Sequence, residues 1–253
     1  MRVLQQPAYV IHHHDYSETS LLLELFTRDH GRVGVIAKGA RRGKSERRAL
    51  LNPFTPLWVD WSGKGELGVL VGVESRGSSL TLSGEAIYCG FYVNELLLRL
   101  LHRHDAHAQL FDGYQQCLMR LQSDTPNDSA LRIFEFLLLQ EIGYGLVLDR
   151  DAFDNLPIKE DQTYEYVGDS GLRRVVANVG HSAGTLVSGR SLLALATGRL
   201  DQPEKLDPEM MKELKRLMRV MLARHLGDRP LNSRQLMRSL SQRPKATHGE
   251  TGN

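Results

Sequence analysis

The residues with the clearest chemical potential are the cations of one segment, AKGARRGKSERRALLNPF, at residues 37–54. Six lysines and arginines fall within eleven residues of it, against one acid, Glu46. The tripeptide GKS invites comparison with a phosphate-binding loop, which reads G-x-x-x-x-G-K-[ST]. The first glycine of that pattern would stand where the chain has Lys38, and no apolar-periodic helix is expected after Ser45. We therefore expect the segment to contact several phosphates of a polyanion, not to enclose one nucleotide.

The surroundings of this segment favour a nucleic acid as that polyanion. Residues 28–48 carry eight cations and two acids, and the glycines among them let the backbone approach a ligand closely. The aromatic residues Phe54, Trp58 and Trp61 follow, and such side chains can stack on bases, although one or more of them can instead be core. A solvated charged loop is the simplest alternative. The predicted contacts of this first site are Arg28, Arg32, Lys38, Arg41, Arg42, Lys44, Arg47, Arg48 and Lys64.

Charge is unevenly distributed along the 253 residues, although the formal net charge is only +2. Residues 1–48 contain nine basic and five acidic residues, residues 49–204 twelve and twenty, and residues 205–245 eleven and four. Clustering of this kind creates local fields that the net charge conceals. The C-terminal cluster predicts a second site for a polyanion. Its candidate contacts are Lys212, Lys215, Arg216, Arg219 and Arg234.

Two groups of histidines could be metal ligands, but their positions on a strand and at a helix end explain them better. His12, His13 and His14 are consecutive, and neighbours on a strand point to opposite faces, so only two of them share one. His102, His104 and His107 follow a predicted helix end, where histidine is favourable through the helix dipole. The two cysteines stand 28 residues apart without a C-x-x-C pair, which is typical of buried free thiols in a reducing compartment. We expect no metal and no cofactor.

Catalytic signatures are missing from the sequence as well. It contains no G-x-S-x-G or H-E-x-x-H motif, and a nuclease would need an acid cluster that the spacing does not reveal. No run of about 18 apolar residues occurs, so no membrane span is expected. The first residues lack the apolar core of a signal peptide, which favours a cytoplasmic location. We expect a binding protein and not an enzyme.

Two structural units should position the cations. Five short β-type runs with turn residues between them occupy residues 1–80 and predict a small closed barrel of the OB type, although their period does not exclude an SH3-like barrel. Apolar residues at helical spacing then fill residues 81–241, interrupted by an Asp- and Gly-rich insertion at 146–178 that contains a hairpin pattern, TYEYVGDSGLRRVV. The polar tail at 242–253 is expected to be disordered. The predicted class is α+β: a five-stranded OB-fold β-barrel followed by an α-helical domain with a small β-hairpin insertion.

Two sequence blocks carry a resemblance to a known family. The block from YSETSLLLELFTRDHGRVGVIAKGARRGKSERRALLNPF to GKGELGVL, and the later LKRLMRVMLARHLGDRPLNSRQLMRSL, resemble the two ends of the bacterial recombination and repair protein RecO family. The elements AKGARR-x-K-S and LGDRPLNSR, in this order, make the resemblance specific. It implies binding to single- and double-stranded DNA, annealing of complementary strands, and work with RecR in loading the RecA recombinase.

The resemblance also implies contact with the C-terminal tail of single-stranded DNA-binding protein (SSB). That tail is acidic and ends in an apolar residue, so it should enter a groove between helices with a cation at its rim; the candidates are Arg120 and Arg132. An arginine that only covers its own helix is the alternative for each. Many family members carry a cysteine zinc module where this chain has residues 149–175, and here there is no cysteine. Zinc is therefore not expected, and packing alone should hold the insertion.

One other class of protein fits the same sequence. Basic loops also suit a scaffold that docks acidic protein partners, and composition does not separate such a scaffold from a DNA-binding protein. The salt dependence of DNA binding, with an acidic polypeptide as competitor, would distinguish the two.

Overall fold

The computed structural model describes residues 2–42, 46–63, 65–123, 126–176, 184–202 and 206–241, without the side chains of 46, 47 and 237–241. Its N-terminal part is a closed barrel with the strand order β1-β2-β3-β5-β4. The pair β3–β5 is parallel and the other pairs are antiparallel. The predicted five-stranded barrel is confirmed. Its strands are β1 (Arg2–Tyr16), β2 (Ser20–Thr27), β3 (Gly31–Ala37), β4 (Leu57–Ser62) and β5 (Leu67–Ser75).

Alternation along the strands builds the inside of the barrel. Leu21, Leu23 and Leu25 of β2 face Val33 and Val35 of β3, and all five side chains are buried. Because side chains on a strand alternate between its two faces, this period of two separates a filled interior from an outer surface.

A short helix, α1 (Glu46–Leu50), lies between β3 and β4, and Leu51 directly after it is buried in the barrel core. The sequence predicted no apolar-periodic helix here. The five-residue helix that does form leads into this buried leucine.

The second part of the chain is helical with a small sheet, as predicted. The sheet has the order β7-β6-β8, so the predicted hairpin is joined by a third strand that follows it in the chain. Apolar faces of the helices converge on one core that also includes residues of the small sheet. The elements are α2 (Glu85–Leu100), α3 (Ala108–Gln122), α4 (Asn127–Glu141), β6 (Thr163–Tyr166), β7 (Leu172–Arg174), β8 (Thr185–Ser188), α5 (Gly189–Ala196), α6 (Pro208–Leu226) and α7 (Asn232–Ser241).

The barrel and the helices share a packed joint. Tyr9 and Phe26, on the outside of the barrel, contact Phe111 of α3 at ring-centroid distances of 5.6 and 5.5 Å. Gly31 packs against the backbone of Asp105, between α2 and α3, so closely that a Cβ atom would overlap the Asp105 carbonyl oxygen. These contacts fix the orientation of the barrel on the helical part.

Carboxylates organise the insertion that lacks cysteines, so the expectation that packing alone holds it was wrong. Asp151 is buried and accepts hydrogen bonds from the backbone N–H groups of Phe153, Asp154 and Arg174. Glu165, also buried, accepts from Gly184 N at 3.0 Å and pairs with an arginine of β7. Three amide donors on one carboxylate connect the loop to strand β7.

Replacing Gly31 with alanine should destabilise the joint. The residue has φ +62°, and a methyl group there would meet backbone, so we expect a loss of about 2–4 kcal/mol in the free energy of unfolding. Gly39→Ala is the matched control, because its φ is +69° but open space surrounds the position. It should cost only the backbone strain, about 1–2 kcal/mol. Urea unfolding measures both; equal losses would contradict a tight joint.

Asp151→Asn should lower stability in a pH-dependent way. Burial works to raise the pKa of Asp151, but the hydrogen bonds from the three amides lower it below its ordinary value. A carboxyl whose pKa is lower in the folded state contributes stability above its unfolded pKa of about 3.9 and loses it as pH falls through the folded pKa. We expect a deficit of about 1–3 kcal/mol at neutral pH that shrinks in acid. A deficit independent of pH in urea unfolding would refute this role.

Candidate nucleic-acid interface and peptide pocket

The basic segment after β3 is tied to the tip of the β1–β2 hairpin by Arg41. Its Nη2 lies 2.9 Å from Asp15 Oδ2, its Nη1 donates to Ser17 O, and its backbone N–H donates to Thr19 O. Arg41 is therefore a structural support of the loop more than an open cation. Of the predicted contacts, Lys38, Arg42 and Arg48 are exposed. Among the described residues, Lys38 and Arg42 have no acidic partner.

Two predicted DNA contacts have structural partners instead. Arg28 makes a bidentate pair with Asp112 of α3, at 3.3 and 3.1 Å, which links the barrel to the helices. Arg32 is mostly buried, donates to the carbonyl oxygen of Leu98, and lies 3.7 Å from Glu24 Oε2. Burial lowers the pKa of Arg32, and Glu24 opposes that effect. Both arginines thus have partners at the joint between the barrel and the helices. Arg28 keeps a 42% exposed side chain in its pair with Asp112, and the assignment of both residues as DNA contacts stays a prediction.

Some predicted residues lie outside the part of the chain that the structure describes. These are Lys44, Lys64, the side chain of Arg47, and the tail at 242–253. Among the aromatic residues, Phe54 and Trp61 are buried, whereas Trp58 is 38% exposed and has the Arg76 guanidinium 5.8 Å from its ring centroid. Only Trp58 of the three remains available for stacking on a base.

The cations of the second predicted site lie on and beside α6. Lys212 pairs with Glu209 at 2.6 Å, Lys215 with Asp128 at 3.0 Å, and Arg216 donates to the carbonyl oxygen of Leu186 at 2.8 Å. Side-chain hydrogen bonding with Glu209 raises the pKa of Lys212. Arg219 is exposed and has no acidic partner within the described ranges. This cluster is thus more neutralised than its sequence suggests.

A pocket of about 810 Å³ lies next to this cluster, between α2, α4, α6 and α7. Apolar surface from Ile87, Tyr88 and Leu131 covers part of its wall. Both signs of charge occur among the other lining residues. The cations are Arg132, Lys215, Arg219 and Arg234, and the acids are Glu85 and Asp128.

A buried network behind this pocket holds Arg132. The side chain is 4% exposed, and its Nη2 and Nε lie 2.7 and 2.6 Å from the two carboxylate oxygens of Glu135. Tyr92 donates to Glu135 at 2.5 Å and accepts from Arg234 Nη2 at 3.0 Å. Burial, and then Glu135, raises the pKa of Tyr92, so its hydroxyl stays protonated and remains a donor.

Two nitrogens of Arg132, Nε and Nη1, make no hydrogen bond among the described residues. Nε is held in the ion pair with Glu135 Oε2, whereas Nη1 is buried and has no partner within the described ranges. An unpaired donor of a buried charge is costly, which makes it a ready partner for an incoming anion. Burial would lower the pKa of Arg132, but Glu135 and neighbouring groups raise it, so the guanidinium stays charged. The pocket can therefore bind a carboxylate beside an apolar group.

Two residues of α2 place α7 at the edge of the pocket. Glu95 accepts hydrogen bonds from the N–H groups of Asn232 and Ser233, each at 2.9 Å, and from the Ser233 hydroxyl. Burial opposes the shift, but these bonds lower the pKa of Glu95. Arg99 donates to three carbonyl oxygens in the turn before α7, including that of Leu226 at 2.7 Å. The element LGDRPLNSR is thus the turn that carries Arg234 to Tyr92.

The two predicted peptide contacts are not brought together. Arg132 lines the pocket, but Arg120 lies 2.8 Å from Asp201 and is not among the lining residues. The sequence prediction missed Tyr92, Glu135 and Glu95. Glu135 stands one helical turn after Arg132 on α4, a spacing that the sequence does show, whereas Tyr92 and Glu135 are 43 positions apart and only the fold brings them together.

The two groups of histidines lie among ordinary protein contacts. His107 begins α3 and lies between two acids, with Nε2 3.5 Å from Asp105 and Nδ1 3.4 Å from Glu141. His12 and His14 share a face of β1, with ring centroids 6.0 Å apart. Within the described ranges, no group of three or more His, Cys, Asp or Glu side chains has a geometry that could hold a metal ion.

The fold and these surfaces identify the class of protein before any comparison. A closed five-stranded barrel with this strand order, joined to a helical domain, is an OB-fold protein, a fold that commonly binds oligonucleotides. The family follows from comparison with known proteins. Models described as "Recombination protein O N terminal" and "Recombination protein O C terminal" match residues 1–78 and 82–235. The chain belongs to the recombination protein O (RecO) family.

Curated relatives agree over almost the whole chain, and each is named "DNA repair protein RecO". The protein of Nitrosococcus oceani is 45% identical over 240 residues, which cover 95% of both chains. That of Alkalilimnicola ehrlichii is 46% identical over 97% of this chain and 95% of the relative, and that of Methylococcus capsulatus 47% over 95% of each. Separately, the described helices include none with the length and apolarity needed to cross a bilayer.

Tyr92→Phe tests the buried network. The change removes one donor to Glu135 and one acceptor of Arg234, so we expect a loss of about 1–3 kcal/mol in unfolding free energy. Tyr166→Phe is the control, because Tyr166 is also buried but its hydroxyl has no hydrogen-bond partner among the described residues. Urea unfolding compares the two variants. Equal effects would show that the Tyr92 hydroxyl is not part of a stabilising network.

Proposed function

We propose that this protein is a DNA-binding mediator of DNA repair and recombination that acts without bond chemistry. Its membership of the RecO family, together with two exposed cations that have no acidic partner among the described residues of the loop after β3, is the observation that carries this proposal. Lys38 and Arg42 stand on the loop that follows β3, and Arg41 holds that loop against the hairpin tip. Cations fixed in this way can track the phosphates of a single strand.

Annealing of complementary strands would use both basic surfaces. Two strands repel through their phosphates, and the repulsion falls when cations neutralise each of them. The loop of the barrel would hold one strand and the cluster on α6 the other. The ion pairs of Lys212 and Lys215 do not prevent this, because exposed pairs are weak and a phosphate can replace the carboxylate. Arg216, Arg219 and Arg234 remain candidates of the same second site.

The pocket on α2, α4, α6 and α7 would bind the C-terminal tail of SSB. An acidic tail with an apolar last residue matches the lining: cations for the acids, Ile87 and Leu131 for the apolar side chain, and Arg132 Nη1 for the terminal carboxylate. Arg234 would contribute a second cation beside Arg132. Recruitment through this tail would bring the protein to SSB-coated single-stranded DNA in the cytoplasm, at the nucleoid, where it would assist RecR in loading RecA.

Removing the loop cations should weaken DNA binding and its dependence on salt. For Lys38→Ser combined with Arg42→Ser, loss of two phosphate contacts should reduce the log–log salt slope on single-stranded DNA by about 1.4. Fluorescence anisotropy with a labelled oligonucleotide at several salt concentrations measures this, and the annealing rate should fall in parallel. Unchanged affinity and slope would remove the loop from the interface and favour a scaffold that docks acidic proteins.

Arg234→Gln should weaken binding of an SSB-tail peptide by about tenfold, because a charge-assisted contact at the pocket is lost. Arg229→Gln is the matched control: it removes the same charge from the preceding turn, and its side chain is outside the pocket lining. Titration of a labelled tail peptide measures both affinities. If the two variants bind equally well, the tail does not occupy this pocket.

A further inference from the structure

One cation of the peptide pocket, Lys215, is already paired with an acidic residue of the protein itself, Asp128. Lys215 Nζ lies 3.0 Å from Asp128 Oδ1 and 3.4 Å from Oδ2, and both residues line the pocket. Their side chains are 50% and 48% exposed, so the pair stands where an entering ligand would meet it. An acidic ligand that uses Lys215 must therefore displace Asp128.

The charge of Asp128 acts on the interior of the pocket as well as on Lys215. Asp128 lies in the first turn of α4, where the helix dipole stabilises an anion. Burial first, and then the charges of Asp128 and Glu85, raises the pKa of the Cys89 thiol in the pocket wall to about 11. Two acids thus act on the interior of a pocket whose other charged groups are cations.

We propose that Asp128 is a built-in competitor that lowers the affinity of the pocket for acidic ligands and makes binding depend on an apolar end. In the free protein it holds Lys215. When an acidic peptide binds, its carboxylate takes over Lys215 and Asp128 turns to solvent. A polyanion without an apolar group gains little from this exchange, because one ion pair only replaces another. A peptide that also buries an apolar side chain against Ile87 and Leu131 gains the burial in addition.

The inference rests on the proposed binding of an acidic tail at this pocket, and it assigns a role that the binding alone does not require. Acids at the edge of an acidic-peptide site would otherwise only weaken it. They cost every anionic ligand the same displacement, so all affinities fall alike, and only ligands whose apolar surface adds enough binding free energy stay bound at a given concentration. Asp128 thus sets an affinity threshold that an acidic ligand without apolar surface does not reach.

The test compares the affinity of one peptide for five forms of the full chain. The probe is a fluorescein-labelled peptide of consecutive aspartates followed by an apolar segment with a free C-terminal phenylalanine, titrated by fluorescence anisotropy. Asp128→Asn should bind it about three- to fivefold more tightly than the wild type. Asp149→Asn is the control, since it removes the same charge from an exposed residue outside the pocket and should change nothing.

The last two forms, Lys215→Gln alone and Lys215→Gln combined with Asp128→Asn, decide the mechanism. If Asp128 competes for Lys215, the gain from Asp128→Asn should largely disappear in the Lys215→Gln background. An unchanged or weaker affinity of Asp128→Asn, or an equal gain without Lys215, would overturn the proposal. Wild-type protein that does not bind the peptide at all would instead refute the proposed peptide pocket. Circular dichroism confirms that each variant is folded.

Discussion

The buried pair of Arg132 and Glu135 is the interaction on which the pocket depends. Burying two charges is costly, and their attraction offsets the cost only when the remaining donors and acceptors are also satisfied. Glu135 Oε1 accepts hydrogen bonds from Arg132 and Tyr92, and Tyr92 in turn accepts from Arg234. Glu135 Oε2 is held only by its ion pair with Arg132 Nε, and Arg132 Nη1 has no partner among the described residues. The network therefore links four side chains and leaves Nη1 as a buried donor for a ligand.

The basic residues of this protein fall into two groups, according to whether other groups of the protein accept their hydrogen bonds. Arg28 and Arg32 connect the barrel to the helices, and Arg99 holds the turn before α7. Lys38 and Arg42 are exposed and have no such partners in the described part of the chain. Cations of the first kind are fixed by the fold, while those of the second kind are free to neutralise phosphates. A count of basic residues therefore overstates the charge available to a nucleic acid.

The sequence predicted the architecture well because the architecture follows from periodicity. The apolar run SLLLELFT and the alternation in RVGVIA predict strands, and both form, although β2 and β3 are buried on both faces because the helices cover the outside of the barrel there. Arg132 was a candidate because it flanks an apolar helix and the family resemblance implies an acidic tail as partner, but the sequence gave no indication that its side chain is buried. The role of Asp151 was not predictable, because its three amide partners depend on how the loop meets β7. Ion pairs such as Arg28–Asp112 join residues 84 positions apart, and local sequence does not encode them.

The proposed peptide site depends on Arg132 binding a carboxylate in a pocket lined by both apolar and charged side chains. The most direct measurement is the affinity of two acidic peptides with the same sequence, one ending in a free carboxylate and the other in an amide, by isothermal titration calorimetry. Loss of a charge-assisted hydrogen bond should weaken the amide by about tenfold or more. Equal affinities of the two peptides would contradict the assignment of Arg132 as the group that receives the end of the chain.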